Sequence, residues 1–435
     1  MRKDKGFPSA SFLLGLVSSF KRKPRTSDGE EDHPWWWGIL VRDLLETAIS
    51  WVVALALACY LGILYLAGTS PATKAIWRCP LVTTNRNNEE TPGALDQFQN
   101  ILKEARHKKE KSENVLTDKE LLQVMCSSTE ARRWASIAMQ QYEHKDSKDS
   151  LLMAQLKRIW PQLLELPAPP QNNSKSKHPF EISVVVPAFG EDGSRIQTNL
   201  QRALDASQNP QRLQLVLVDA GRNTHMEQAT VFAGGKQQWA NVKIATYSGG
   251  GGRGATLNHG AQHADGRILT FLHSDNLLPE KWDDQILSVL GSDETTTTRV
   301  IACAFSFRIH TTNTACPPGM AAAQWLGTIR TKVFHAIYGD SVISMPTTYF
   351  SYLGGYPPQA PLMEDYELMD LIRKRVAARK DESLCILPSE TLVSPRRWQV
   401  NGVPYVILFN FLCVFLYEHR GWSSQKLFEF YYSGR

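Results

Sequence analysis

Short apolar runs alternate with amphipathic stretches between residues 181 and 275. Four runs rich in Val, Ile and Leu are bounded by Pro, Gly or Asp, at 181–187, 213–218, 242–247 and 267–272. Helical patterns lie between them, such as the four-residue spacing of Ile196, Leu200 and Leu204. This alternation predicts strand–helix units and an α/β fold with a mostly parallel, Rossmann-like sheet.

Three carboxylates follow the predicted strands directly. Glu191, Asp219 and Asp275 each lie just past a strand end. In such sheets ligands bind beyond the carboxyl ends of the strands. The three acids therefore indicate a bound cation or a ribose at that edge.

A glycine-rich loop, 248–254, precedes one of the predicted helices. Gly249, Gly251 and Gly254 satisfy the GxGxxG pattern, and Asp275 follows about 20 residues later, as in dinucleotide-binding folds. That fingerprint belongs to the first turn of the fold, whereas two strand–helix units precede this loop. We favour a flexible loop that admits a nucleotide, with Arg253 near phosphate, and keep NAD(P) binding as an alternative.

The N-terminal part contains a long uncharged segment. No charged residue occurs from Thr47 to Thr73, and residues 47–68 are mostly apolar. About 20 such residues suffice to cross a bilayer core, so we predict a transmembrane helix at 47–68, with a buried core helix as the alternative. Basic residues are in excess before this segment, which predicts a cytosolic tail at 1–46 and a lumenal catalytic part in the ER or Golgi, although cytosolic or organellar placement stays open.

Two further segments complete the predicted organisation. Residues 69–178 read as a helical stem with a Pro- and Ser-rich linker, which contains the glycosylation sequon at 172–174. The main α/β domain covers 179–402. Residues 403–435 begin with 15 uncharged residues, which predict an interfacial or membrane-facing helix, a second span or a buried helix.

The composition excludes several classes of protein. The chain has 435 residues with 48 basic and 43 acidic side chains, for a net charge of +5. This charge is too mild and too dispersed to indicate a nucleic-acid partner. Seven cysteines without a CxxC pair indicate neither a disulfide scaffold nor a structural zinc site.

Eight short motifs follow one another along the C-terminal part of the chain. They are VVVPAFGE (184–191), LVDAG (217–221), GRGATLNHGA (252–261), FLHSD (271–275), GD (339–340), LGGYP (353–357), PLMEDYEL (361–368) and SPRRW (394–398). In this order they resemble the motifs of family-2 glycosyltransferases with the GT-A fold, and the resemblance is strongest to the short bacterial branch labelled arsenosugar-biosynthesis-type. It covers about 181–420.

The resemblance implies an inverting transfer of a sugar from a nucleotide-diphosphate donor to an acceptor hydroxyl on a glycan, a lipid or a small molecule. It implies that Asp219 contacts the nucleoside and that Asp275 holds the diphosphate through Mg²⁺ or Mn²⁺. It assigns the general base to Asp365, the second acid of the Glu364–Asp365 pair. Two arginines and a tryptophan are expected near the diphosphate and the acceptor: Arg396, Arg397 and Trp398.

Two departures from the family pattern bear on this interpretation. His273 stands where a full DxD motif has its first acid, and no second acid follows Asp219 in the sequence Gly-Arg-Asn-Thr at 221–224. The Glu364–Asp365 pair has its own alternative, an acidic helix start favoured by the helix dipole. An inactive GT-A domain that serves as a membrane-held binding module is the alternative for the whole chain.

Overall fold

The structure is a computed structural model. It describes residues 36–66, 98–103, 116–127, 131, 135, 152–156, 158–159, 178–229, 239–249, 252–291, 298–310, 316–357, 360–420 and 422–432; within the first helix it describes the side chains of 44–59. The predicted cytosolic tail up to residue 35, the linker and the sequon lie outside these ranges.

The chain divides into two compact units. The first comprises Met1–Lys74, Phe307–His335 and Leu392–Trp422, and the second Ala75–Ser306, Ala336–Thr391 and Ser423–Arg435. The second unit therefore contains most of the predicted α/β domain.

The described strands form one seven-stranded sheet with the order β3-β2-β1-β4-β6-β5-β7. Strands β1 to β4 pair in parallel, whereas β6 is antiparallel to both β4 and β5. The mostly parallel α/β sheet was predicted correctly. The strands are β1 (Phe180–Ala188), β2 (Leu213–Asp219), β3 (Asn241–Thr246), β4 (Gly266–Phe271), β5 (Arg299–Ile309), β6 (Ser344–Pro346) and β7 (Glu382–Val393).

Helices connect and follow these strands. Further helical residues lie at 98–103 and 152–156. The named helices are α1 (Trp36–Leu66), α2 (Asp118–Ser127), α3 (Gly193–Asp205), α4 (Gly252–Gln262), α5 (Trp282–Leu290), α6 (Met320–Lys332), α7 (Thr347–Leu353), α8 (Glu364–Ala378), α9 (Arg396–Asn401), α10 (Val403–Arg420) and α11 (Ser424–Tyr432).

The central strands are mostly apolar because both faces of the sheet are covered. In β1, Val184 and Val186 belong to one hydrophobic core and Val185 to the other. Successive side chains of a strand point to opposite faces, so a strand buried on both faces has no polar alternation. The predicted stem has a separate small core that includes Phe98, Leu121 and Leu156.

The first unit has its own core, to which α1, α6 and α10 contribute. Leu57 of α1, Met320 of α6 and Val403 and Ile407 of α10 belong to it. The Glu46 carboxylate accepts the backbone N–H of Val403 at 3.3 Å. No residue of 403–418 is exposed, which favours the buried-helix alternative for this segment.

A helix does form over most of the segment predicted to span a membrane. Across the residues that the structure describes, however, none of the helices combines the length and the apolar character that a membrane crossing requires. The transmembrane helix predicted at 47–68 is therefore not supported by the structure.

A buried ion pair in the second unit fixes the C-terminal half of α8. Nε and Nη2 of Arg375 donate to the Glu382 carboxylate of β7 at 2.7 and 2.8 Å. The Tyr349 hydroxyl of α7 donates to the same carboxylate at 2.6 Å, and burial, then this hydrogen bond, raises the pKa of Tyr349. The guanidinium lies 5.1 Å from the ring centre of Tyr352. This cluster joins α7, α8 and β7.

We predict that Glu382→Gln destabilises the protein by about 3 kcal/mol or more, because the side chain keeps its shape while the buried guanidinium of Arg375 loses its counter-charge. Chemical denaturation followed by circular dichroism measures the loss. Lys243→Met, which removes an exposed ion pair to Asp265, is the matched control and costs below about 1 kcal/mol. Equal losses in both variants would contradict a special role for the buried pair.

Candidate active site

The carboxyl ends of β2, β1 and β4 are neighbours at one edge of the sheet. Asp219 is the last residue of β2 and pairs in register with Ala188, the last residue of β1. Glu191 follows β1, and Asp275 follows β4, which runs parallel to β1 on its other side. The structure therefore brings the three predicted acids to the same edge.

Asn223 braces Asp219 from the loop that follows β2. Its Nδ2 donates to Oδ1 of Asp219 at 2.5 Å and to the carbonyl of Ala188 at 3.2 Å. Its Oδ1 accepts the backbone N–H of Glu191 at 2.9 Å. Asp219 also accepts the backbone N–H of Gly221 at 2.8 Å. One amide thus connects the two loops that carry Asp219 and Glu191.

Asp275 lies in a turn that its neighbours hold on both sides. Asn199 donates to the carbonyl of Ser274 at 2.6 Å, and Nδ2 of Asn276 donates to the carbonyl of Asp340 at 3.0 Å. Within the described residues the half-buried Asp275 carboxylate has no hydrogen-bond or ion-pair partner.

The free oxygens of Asp275 fit a hard divalent cation, which prefers oxygen ligands and often retains water and phosphate oxygens as the others. No group of three or more possible metal-binding side chains occurs in the described parts of the chain. The protein would therefore supply few ligands itself.

Asp365 lies in the first turn of α8 and accepts three hydrogen bonds. Its Oδ2 accepts the backbone N–H of Gly339 at 2.7 Å and Nη2 of Arg253 at 3.2 Å. Its Oδ1 accepts the backbone N–H of Tyr366 at 2.7 Å. The side chain retains 14% exposure. Asp365 is therefore held in place and still reaches solvent.

Glu364 is the buried member of the acid pair. Its side chain is 1% exposed and forms an ion pair with Nε of Arg253. Its Oε2 has no partner among the described residues. Burial, opposed by the charge of Arg253, raises the pKa of Glu364 to about 7. One guanidinium thus serves two carboxylates, and Glu364 is the one that takes up a proton near neutral pH.

His273 lies beside the same group. Burial and then the charge of Arg253 lower the pKa of His273 to about 3, so its imidazole is neutral at physiological pH. A Cβ atom at position 339 would lie 2.5 Å from Nε2 of His273 and 3.3 Å from Oδ2 of Asp365. Glycine at 339 therefore allows both side chains to approach the same stretch of backbone.

Close backbone contact also explains the glycines of the GRG sequence. A Cβ at Gly252 would lie 2.6 Å from Cα of Pro361, and one at Gly254 would lie 2.9 Å from Cβ of Glu364. These glycines let the start of α4 approach the segment that carries the acid pair. Met363, immediately before the pair, has a φ of +70°, a strained value for a residue with a side chain.

The residues expected near the diphosphate and the acceptor belong to the first unit. Arg396, Arg397 and Trp398 begin α9. Arg396 is exposed, while Trp398 packs against the core of that unit. Their predicted role near the diphosphate and the acceptor stays a prediction.

Sequence reasoning missed Asn223 and Gly339 as site residues. Asn223 entered the sequence analysis only as part of the stretch 221–224 that lacks a second acid, and Gly339 only as part of a GD motif. Asx residues after a strand often bond nearby backbone groups, so the position of Asn223 could have signalled a brace. No local signal could have identified the contact between Gly339 and Asp365.

Residues 183–336 match the family model described as glycosyl transferase family 2. This part of the chain is therefore similar to a family-2 glycosyltransferase domain, as the sequence motifs indicated; the arsenosugar-type branch is not confirmed. Glu191, Asp219, Arg253 and Asp275 lie inside the match, while the acid pair at 364–365 lies beyond it. No curated protein matches the chain.

Several solved structures are similar at low identity. TarS from S. aureus is 15% identical with a TM-score of 0.35, over 55% of this chain and only 40% of TarS. TarS 1–349 in complex with UDP-GlcNAc is 14% identical with a TM-score of 0.37, over 58% of this chain and 76% of that one. The mannosyltransferase PcManGT from Pyrobaculum calidifontis, in complex with GDP-Man and Mn²⁺, is 16% identical with a TM-score of 0.36, over 63% and 68%.

We predict that Glu364→Gln changes how stability depends on pH. A carboxyl whose pKa is about 7 in the folded protein, against an ordinary value of 4.5, favours folding most below pH 4.5. This contribution declines as the pH rises to about 7. Melting temperatures of the wild type and the variant are compared between pH 4.5 and 8. As the pH falls from 8, the difference should shift in favour of the wild type, because only the wild type gains stability when Glu364 takes up a proton. Parallel curves would contradict a buried, titrating Glu364.

Proposed function

We propose that the family-2 domain transfers a sugar from a nucleotide-diphosphate donor to an acceptor hydroxyl with inversion. The observation that carries this proposal is Asp365, a partly exposed carboxylate fixed by Gly339, Arg253 and Tyr366. An inverting transfer needs one such base and no covalent intermediate. Asp219 and Glu191, at the carboxyl ends of parallel strands, support a nucleoside subsite at that edge.

The reaction proceeds in one displacement. Asp365 accepts the proton of the acceptor hydroxyl while the hydroxyl oxygen forms a bond to the anomeric carbon of the donor. The bond from that carbon to the diphosphate oxygen breaks, and the nucleoside diphosphate leaves with the electron pair. The acceptor is a glycan, a lipid or a small molecule. Arg396 and Arg397 are proposed to stabilise the leaving diphosphate as guanidinium donors.

A divalent cation, Mg²⁺ or Mn²⁺, belongs to the proposal. Asp275 would hold it, because its carboxylate has no other partner in the described structure. Such a cation would neutralise charge on the diphosphate. His273, neutral at physiological pH, adds no positive charge next to that position.

The two alternative functions, NAD(P) binding and an inactive binding module, have less support from the structure than sugar transfer. NAD(P) binding rested on the glycine pattern of Gly249, Gly251 and Gly254, of which Gly254 approaches Glu364 closely. Packing therefore accounts for the last glycine of the pattern without a dinucleotide. An inactive binding module would not need a carboxylate as firmly held as Asp365.

A panel of nucleotide sugars tests the proposed activity. UDP-GlcNAc and GDP-mannose are included because the similar structures hold them. Hydrolysis or transfer is measured with and without Mn²⁺, and Asp275→Ala should abolish the Mn²⁺-dependent part. Turnover of no nucleotide sugar, together with tight donor binding, would favour the inactive module, and binding of NAD(P) alone would favour the oxidoreductase alternative.

We predict that Asp365→Asn lowers turnover by about 10²-fold or more while donor affinity stays nearly unchanged, because the amide keeps the shape and removes the base. Glu364→Gln, its matched neighbour, should reduce turnover less, since Glu364 is buried and paired with Arg253. Steady-state rates and calorimetric donor binding measure both effects. Near wild-type transfer by the Asp365 variant would refute its role as the base.

We also propose that the chain associates with a membrane through α1. Seven exposed positions of this helix are apolar or small, and at 100° per residue they lie within an arc of about 120°. They are Leu44, Leu45, Ala48, Val52, Leu55, Ala56 and Cys59. Lipid would cover this face without a polar cost, whether α1 lies in the interface or inserts. The lumenal placement of the catalytic domain is a separate proposal that rests on the sequence alone, in which basic residues are in excess before residue 47.

We predict that Val52→Asp reduces the membrane-bound fraction in flotation of cell extracts, because it places a charge within the apolar face. Ile244→Asp, at a similarly exposed apolar position of β3, is the control and should leave flotation unchanged. Protease treatment of intact microsomes tests orientation, and protection of the catalytic domain is expected. Full digestion there would reverse the proposed orientation, and unchanged flotation of Val52→Asp would exclude α1 as the membrane contact.

A further inference from the structure

Arg253 joins the start of α4 to the acid pair of α8. Its Nε forms an ion pair with Glu364, and its Nη2 donates to Oδ2 of Asp365 at 3.2 Å. The Arg253 side chain is 38% exposed, whereas the two carboxylates are 1% and 14% exposed. Arg253 is thus the more exposed partner in both ion pairs.

No other described side chain neutralises Glu364. Its Oε1 bonds Arg253, and its Oε2 has no partner in the described part of the chain. Above pH 7, where Glu364 is mostly ionised, a guanidinium that turned away to bind a diphosphate would leave a buried carboxylate without its counter-charge. Breaking one side of such a pair is far more costly than losing an exposed one. This cost opposes the sequence-based expectation that Arg253 binds phosphate.

We infer that Arg253 is a positioning residue, which fixes the Glu364–Asp365 pair for proton transfer and does not bind the donor diphosphate. This inference rests on the proposed role of Asp365 as the base. The guanidinium and the backbone N–H of Gly339 share Oδ2 of Asp365, so together they set the direction of the carboxylate. Among the residues that the structure describes, the other titratable groups that interact with the Arg253 guanidinium are His273, whose imidazole is neutral, and Tyr356.

Kinetics of Arg253→Met distinguish positioning from phosphate binding. We expect turnover to fall about tenfold or more, because the carboxylate loses its orientation. We also expect the acidic limb of the pH–rate profile to move to higher pH by about one unit. A nearby cation favours the ionised form of an acid, and this variant has lost that cation. Calorimetry with UDP and GDP should give affinities within about twofold of the wild type. Arg253→Lys keeps the charge and should restore the acidic limb but not the full rate.

Arg267→Met is the matched control, because Arg267 pairs with Glu181 at 2.9 Å near the opposite ends of the strands. It should leave the rate profile unchanged. A large loss of nucleotide affinity in Arg253→Met, with an unshifted acidic limb, would show that Arg253 binds phosphate and overturn the inference.

A thermodynamic cycle tests the same inference without any need for activity. Melting temperatures are compared at pH 5 and pH 8 for the wild type, Arg253→Met, Glu364→Gln and the double variant. Loss of Arg253 should cost more at pH 8, where Glu364 must be charged, than at pH 5. Adding Glu364→Gln should recover part of that loss. Additive shifts would overturn the inference, whereas coupling in a protein that transfers no sugar would refute the proposed function alone.

Discussion

One guanidinium shared by two carboxylates is the constraint around which the candidate site is organised. Arg253 cannot serve both Glu364 and Asp365 unless the start of α4 lies very close to the start of α8. Gly252 and Gly254 provide that distance because they carry no Cβ. The strained φ of Met363 turns the chain into α8 at the same point. The local cost of these features is offset by the ion pairs they allow.

The position of the acid pair also depends on the far end of α8. Arg375, about three turns after Asp365, is held by Glu382 of β7 and lies against Tyr349 of α7. The helix is thus fixed at its start by a partly exposed arginine and near its end by a buried one. A base that must reach a hydroxyl within about 3 Å needs such a support, because small displacements reduce rates steeply.

The sequence predicts the sheet and its acidic edge well because both depend on local patterns. Buried parallel strands are continuous apolar runs, and parallel strands bring their following residues to one edge. The partners of Arg253 were not predictable in this way, since they lie 111 and 112 residues away. The apolar segments were ambiguous for a related reason. An uncharged run such as 403–417 has the same composition whether protein or lipid covers it, and here the burial of α10 favours protein.

Asn223 fixes both the geometry and the charge of the proposed nucleoside subsite, in a stretch, 221–224, that lacks the second acid of the family pattern. A carboxylate at position 223 could accept the Glu191 N–H but could not donate to Asp219 or to the carbonyl of Ala188. It would also place a second negative charge beside Asp219. The amide makes all three hydrogen bonds and leaves a single charge there. Asp219 is therefore held by a neutral neighbour, so a stretch without a second acid keeps Asp219 in place and leaves one negative charge for a nucleoside to meet.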